Sequence, residues 1–206
     1  MKIIFNVVLA LAALLAPAAG GYAQDKETHD AFLLVATAAL NGSNYRRTVI
    51  LSVPIEGDRH IGIILNRPSK RMLAELFPEH EPSKKVAEPV FFGGPMSRSA
   101  IFALVRRAET PGRGALRVMD GLFLAMTATV VDRIIEQAPD QARFYVGDVM
   151  WRPGELKDEL GDGYWHVMNV DLELLFRKDT QALWDELSRL ARAQRADAGP
   201  QPRSSG

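Results

Sequence analysis

Three short, mostly apolar runs near the start of the chain constrain its fold more than any other feature. They cover residues 31–37, 48–53 and 61–65, and each has the length of a β-strand. Continuous apolar runs, unlike alternating ones, are typical of strands whose two faces are both covered by protein. The sequence therefore predicts a sheet that is packed on both sides, with the second and third runs joined as a hairpin through the turn at Gly57.

Further strands and helices are interspersed along the rest of the chain. Short segments rich in Val, Leu and aromatic residues predict strands at residues 90–92, 100–105, 115–119, 122–125, 144–146 and 164–168. Apolar residues at helical spacing predict helices that begin near Ser69, Val130, Pro153 and Thr180. No repeat or linker divides these elements, so we predict one α+β domain over residues 31–195 and a disordered tail over residues 196–206.

The first 23 residues have the pattern of a secretory signal peptide. Lys2 supplies a positive start, residues 3–15 are apolar apart from Asn6, and small residues precede a cleavage position after Ala23. The apolar run is shorter than the roughly 20 residues that cross a bilayer, which disfavours a membrane anchor. We therefore expect a periplasmic or secreted mature protein with a flexible lead-in over residues 24–30 and no membrane association after cleavage.

Charge and composition exclude several classes of protein. The 25 Lys and Arg residues balance the 25 Asp and Glu residues, so no general field collects nucleic acid or anionic lipid. The absence of cysteine excludes disulfides, iron–sulfur clusters and a cysteine nucleophile. No P-loop, G-x-S-x-G or H-E-x-x-H motif is present. The sequence accordingly predicts no cofactor and no catalytic residue.

The histidines do not predict a metal site. His29, His60, His80 and His166 are far apart in the sequence, and none has a second histidine at metal-binding spacing. The best local cluster is Glu79-His80-Glu81, which lies in a charged loop and is interpreted as a solvated segment. We therefore expect no metal.

Loops that adjoin the predicted strands carry the candidate site residues. Pro68 holds Arg67 in an extended conformation, and Asn66 can close the turn with its side chain. Gly93 and Gly94 permit positive φ angles and a concavity of N–H groups that holds an anion, although a tight strand exit is the commoner reason for such glycines. The candidate ligand-binding residues are Asn44, Arg46, Asn66, Arg67, Gly93, Gly94, Asp120, Asp148, Trp151 and Arg152.

Taken in order, these segments resemble the YqgE/AlgH family of bacterial proteins. The resemblance extends from about Phe32 to about Leu190 and includes N-Y-R-R-T-V from Asn44, I-G-I-I-L-N-R-P-S from Ile61 and V-F-F-G-G-P from Val90. It implies a mixed, bifurcated sheet that partly closes into a barrel and is surrounded by helices. It implies no established reaction, since members are mostly uncharacterised and some are labelled transcriptional regulators.

The chain departs from the family pattern in the loop that leads to the helix at Pro153. Family members usually have glycine at the positions of Met150 and Arg152, glutamine at Glu155 and an aromatic residue at Asp148, and most lack an export signal. We interpret the chain as an exported member in which this loop has changed.

Three functions are compatible with these residues. The preferred hypothesis is a non-catalytic periplasmic binding or interaction domain whose partner is a small anionic ligand or a periplasmic protein. A hydrolase or transferase would use Asp120, Asp148 and His166 as general acid and base. A transcriptional regulator is disfavoured by the balanced charge and by export, so no nucleic acid partner is expected. The oligomeric state stays open.

Overall fold

The computed structural model describes residues 31–197, which form ten strands and five α-helices. The strands are β1 (Phe32–Ala36), β2 (Val49–Ile55), β3 (Arg59–Ile64), β4 (Pro68–Met72), β5 (Pro89–Phe92), β6 (Met96–Arg106), β7 (Ala115–Met119), β8 (Leu122–Ala125), β9 (Ala142–Trp151) and β10 (Trp165–Asn169). The helices are α1 (Leu73–Leu76), α2 (Ala128–Gln137), α3 (Glu155–Gly161), α4 (Leu172–Leu175) and α5 (Leu183–Asp197), with short 3-10 turns at Ala38–Leu40, Glu81–Lys85 and Pro139–Gln141.

The predicted segments at the two ends of the chain fall largely outside this range. The leader and lead-in at residues 1–30 lie outside the described residues, as does the tail beyond residue 197. Within the range, α5 continues two residues past the predicted end of the domain, to Asp197. No helix among residues 31–197 combines the length and the apolar character needed to cross a membrane.

One large sheet, mostly antiparallel, contains all ten strands. Its main path runs β10-β1-β2-β3-β9-β6-β8-β7, and the predicted hairpin is confirmed as β2 and β3. On one edge of β9, β5 pairs in parallel with Tyr145 and Val146, whereas β3 pairs with residues 149–151. Gly147 lies between these two stretches with a φ of +74°, so the sheet forks where β9 exchanges one neighbour for another.

The sheet is open, and the predicted partial closure into a barrel is not supported. The path ends at β10 and β7, and no pairing joins these two strands within the described residues. A barrel requires hydrogen bonds between the end strands. The prediction of a single α+β domain is confirmed, but β10, β7 and also β4 each have an edge with which no other described strand pairs.

Both faces of the first three strands are buried, as the apolar runs predict. Leu33 and Leu51 point to the face on which Leu187 of α5 packs. Leu34 and Ile50 point to the opposite face, which Leu156 of α3 covers. Each such side chain contributes about 1.5–3 kcal/mol by leaving water. A third cluster lies between α2 and the strands β6 and β9.

One predicted helix start is wrong, and one predicted strand is confirmed but is longer than expected; in both places strand pairing overrides local preference. The helix expected from Ser69 begins only at Leu73, because residues 68–72 form β4 and pair with β5. The strand expected at residues 144–146 extends over residues 142–151, so the predicted loop after Gly147 is a strand. The helix after it begins at Glu155, preceded by Gly154 with a φ of +81°.

Candidate functional site

The predicted residues beside β2 and β3 lie together, but the side chains of Asn66 and Arg67 bind backbone groups of residues 44–49. The amide of Asn66 accepts a hydrogen bond from Val49 N–H and donates one to Arg47 O, both at 2.9 Å. The guanidinium of Arg67 donates to the carbonyl oxygen of Asn44 at 2.5 Å and to that of Arg46 at 3.4 Å. These two side chains therefore hold the loop at residues 44–47 against the end of β3 by hydrogen bonds.

Gly93 and Gly94 mark a close crossing of two backbone segments. A Cβ on Gly94 would lie 2.1 Å from the carbonyl oxygen of Asp148, and one on Gly93 would lie 2.3 Å from that of Gly147. The N–H of Gly93 donates to Val146 O at 2.8 Å. Neither glycine is among the described residues with positive φ. The geometry favours the strand-exit alternative and gives the predicted anion-holding concavity no support.

The two candidate carboxylates lie far apart. Asp148 is 2% exposed beside Met96 at one end of β6, and its Oδ1 has no hydrogen-bond partner within the described residues. Asp120 is exposed in the β7–β8 turn, where it pairs with Arg117, beyond the opposite end of β6. At about 3.3 Å per residue, the length of β6 separates them by roughly 30 Å. They share no cleft of the kind a hydrolase or transferase needs.

Arg152 lies between β9 and α3, and its backbone takes part in the turn that precedes the helix. Its side chain is exposed, and its N–H donates to the carboxylate of Glu155 at 2.9 Å. This hydrogen bond lowers the pKa of Glu155. The Glu155 carboxylate thus closes the turn between β9 and α3, and its negative charge lies at the positive end of the helix.

Trp151 takes part in a hydrogen-bonded contact between the sheet and α3 that no sequence motif predicts. Its ring packs onto Gly62, where a Cβ would lie 2.6 Å from the ring carbon Cζ3. The indole N–H groups of Trp151 and Trp165 both donate to Glu159 Oε2, at 2.9 and 2.7 Å. Burial raises the pKa of the neighbouring Tyr45, and the charge of Glu159 adds to the shift. One carboxylate therefore fixes α3 to both β9 and β10.

A groove follows the free edge of β10. Its volume is about 390 Å³, which is within the range of ligand pockets. Val167, at the middle of β10, is 51% exposed. The groove is lined by Leu160 of α3, by Trp165, His166 and Val167 of β10, and by Ala191, Gln194 and Arg195 of α5.

The register shows which backbone groups of β10 face this groove. Thr37 N–H donates to Tyr164 O at 2.9 Å, and the same antiparallel ladder places Val35 opposite His166. Because hydrogen-bonded and non-hydrogen-bonded pairs alternate along such a ladder, His166 directs its N–H and C=O toward β1. The backbone groups of Val167 consequently point outward, where none of the described strands pairs with them.

The other two free edges are protected. β7 carries the exposed Arg117 and a register irregularity beside it. β4 begins with Pro68, carries Lys70 and Arg71 and is also irregular. Charges, proline and bulges are devices that keep sheet edges from pairing with other chains. β10 has no charged side chain, no proline and a regular register.

Arginines of α5 give the groove its charge. Burial lowers the pKa of His166, and the charges of Arg195 and Arg192 lower it further, which keeps the imidazole neutral near pH 7. The acidic residues at the start of α5 are already paired, Asp185 with Arg47 and Glu186 with Arg177. Arg192 and Arg195 form no ion pair within residues 31–197, so the α5 side of the groove is positively charged.

Fold and groove together define a single-domain α+β protein in which β10, among the described strands, has an unprotected edge. The chain belongs to the AlgH-like family described as DUF179, whose model matches residues 33–196, and the resemblance predicted from the sequence is confirmed. A UPF0301 protein of Chlorobaculum parvum is 30% identical over 168 residues, which is 80% of this chain and 86% of that protein. A UPF0301 protein of Thermobifida fusca is 31% identical over 76% of this chain and 84% of its own length.

Two solved structures share the fold. The solution structure of the AlgH protein from Pseudomonas aeruginosa matches with a TM-score of 0.65 and 22% identity, over 84% of this chain and 95% of that one. A crystal structure of a Corynebacterium diphtheriae protein matches with a TM-score of 0.61 and 20% identity, over 84% of this chain and 88% of that one. At these identities the likeness shows the fold alone.

Proposed function

We propose that this chain is a non-catalytic binding domain that accepts an extended segment of a partner protein as an additional strand on β10. The observation that carries the proposal is the outward N–H and C=O of Val167, at an uncharged edge beside a groove. Strand addition obtains affinity from such main-chain hydrogen bonds and specificity from the pockets that alternate side chains enter.

The lining of the groove indicates the chemistry of the partner segment. Leu160 and Val167 offer apolar surface, whereas Arg195 offers charge without an acidic partner in the described part of the chain. Arg192, which lies outside the lining, adds to the positive charge around His166. We therefore expect the partner segment to contain an apolar residue and, on the side that faces α5, an acidic residue. A second copy fits less well, because β10 itself carries no carboxylate and a two-fold axis would bring like-charged arginines together.

We also propose that the protein acts in the periplasm, on the strength of the leader pattern at residues 1–23. Protein purified from its own host is expected in the periplasmic fraction with Gln24 as its first residue, as N-terminal sequencing would show. Replacement of Ala23 by Arg is expected to leave the leader attached, because the peptidase requires a small residue there. Soluble cytosolic protein that begins at Met1 would contradict the location and favour the regulator alternative.

The binding proposal is tested by selecting a phage-displayed library of random ten-residue peptides on the mature protein. We expect the selected peptides to share an apolar and an acidic position. Val167→Pro removes the outward N–H, which an edge strand tolerates, and should weaken the peptides at least about tenfold because one main-chain hydrogen bond is lost. Val167→Ala keeps the N–H and serves as the matched control. The measurement is the dissociation constant by calorimetry.

A charge variant tests the proposed acidic position. Arg195→Gln should weaken acidic peptides but leave the binding of their amide analogues unchanged. Peptides bound equally well by wild type, Val167→Pro and Arg195→Gln would overturn the proposal. A dimer that depends on Val167, in a protein that selects no peptide, would assign the edge to a second copy instead.

A further inference from the structure

A cluster of potential metal ligands lies away from the groove, where α2 packs against the turn at Glu81–Lys85. Ligand atoms of His80, Asp132 and Glu136 all lie within 4.8 Å of one another. The Nε2 of His80 is 3.1 Å from a carboxylate oxygen of Asp132. The sequence predicts no metal here because it offers only a lone histidine in a charged loop, with the carboxylates more than 50 residues later.

We infer that His80, Asp132 and Glu136 bind one borderline divalent cation, of which Zn²⁺ is the best representative. Asp132 and Glu136 are four residues apart on α2, so their carboxylates share one face of the helix. One imidazole nitrogen with two carboxylate oxygens is a ligand set that suits Zn²⁺ and related transition ions. Mg²⁺ and Ca²⁺ prefer oxygen ligands alone.

The histidine is held in an orientation that suits coordination. Its Nδ1 lies 2.7 Å from the hydroxyl of Ser83, which is fully buried. Metal-binding histidines commonly use their second ring nitrogen in such a hydrogen bond, which leaves the other nitrogen directed at the ion. Val86 packs in the same apolar cluster as Val131 and Ile135 of α2, so the turn and the helix are fixed to each other.

The charges around the cluster leave it negative. Neither Asp132 nor Glu136 has a Lys or Arg partner within the described residues. Lys84 is paired with Glu81, and Arg133 donates to the carbonyl oxygen of Pro111. Two carboxylates at this helical spacing repel each other. A divalent cation between them would remove that repulsion.

The test is a calorimetric titration of the metal-free, untagged protein with Zn²⁺ alone, repeated with Mg²⁺ and followed with Co²⁺ by visible absorption. One Zn²⁺ per chain is expected to bind, while Mg²⁺ at the same concentrations should not. His80→Ala should abolish binding, and Asp132→Asn should weaken it at least about tenfold. Wild-type protein should also melt at a higher temperature with Zn²⁺ than with a chelator, and His80→Ala should not.

Two variants control for unspecific effects. Glu79→Gln removes an exposed carboxylate beside His80 that is outside the cluster, and His166→Ala removes another half-buried imidazole. Both should bind Zn²⁺ as the wild type does. No Zn²⁺ binding, or binding that His80→Ala and Asp132→Asn leave unchanged, would overturn the inference and leave the His80–Asp132 contact as an ion pair only.

Discussion

Replacement of Gly94 by alanine is expected to destabilise the protein strongly. The new Cβ would lie 2.1 Å from the carbonyl oxygen of Asp148 and 2.2 Å from its carbonyl carbon. Both are main-chain atoms, so no side-chain rotation relieves the contact and the crossing of the two segments must open. We expect a loss of about 3 kcal/mol or more in the free energy of unfolding, measured by urea denaturation.

The matched control is Gly161→Ala at the end of α3. A Cβ there meets nothing within 4 Å, and its φ lies outside the left-handed region. Its free energy of unfolding should stay within about 1 kcal/mol of the wild type, with a small gain from helix propensity. If Gly94→Ala is equally stable, then the two segments do not cross as closely as described.

Replacement of Glu159 by alanine is also expected to destabilise the protein strongly. It removes the acceptor shared by the indole N–H groups of Trp151 and Trp165, each of which is 2% exposed. A buried donor left without a partner costs about 1–3 kcal/mol, so the expected loss is about 3 kcal/mol for the pair. The measurement is urea denaturation followed by tryptophan fluorescence.

Two further variants on α3 show whether the loss of stability comes from the missing acceptor oxygen or from any change on this helix. Glu159→Gln keeps an acceptor oxygen and should lose about 1 kcal/mol or less. Asp158→Ala changes the exposed neighbour on the same helix and should have little effect. Because Trp165 lines the groove, Glu159→Ala should also weaken the selected peptides, whereas Asp158→Ala should not. Equal stability of Glu159→Ala and Asp158→Ala would show that the indoles do not depend on this carboxylate.

The fold was predictable where burial alone determines the element. β1, β2 and β3 follow the apolar runs to within a few residues because strands covered on both faces contain few polar residues. β4 could not be predicted, since Pro68 and Ser69 are typical of a helix start and only the pairing with β5 makes them extended. The length of β9 depends on the positive φ of Gly147, a conformation that glycine permits but does not require.

The candidate site was less predictable, because it depends on strand order. The sequence predicts that Asn66 and Arg67 lie in a constrained turn, yet their hydrogen bonds go to backbone groups that no pattern specifies. The groove exists because β10 is the end strand, with α3 and α5 beside it. Periodicity predicts that residues 164–168 form a strand, but it does not predict which edge of that strand has no neighbour.

The pairing of β1 with β10 has a consequence for how the protein acquires its structure. Ala36 pairs with Trp165, so β1, the first of the described strands, acquires one of its two neighbours only when β10, the last of them, has been synthesised. Contacts of such long sequence separation slow folding, because a large loop must close before they form. During that delay the apolar first strand is open to association with other unfolded molecules. We therefore expect slow refolding in dilute solution and aggregation that rises steeply with protein concentration.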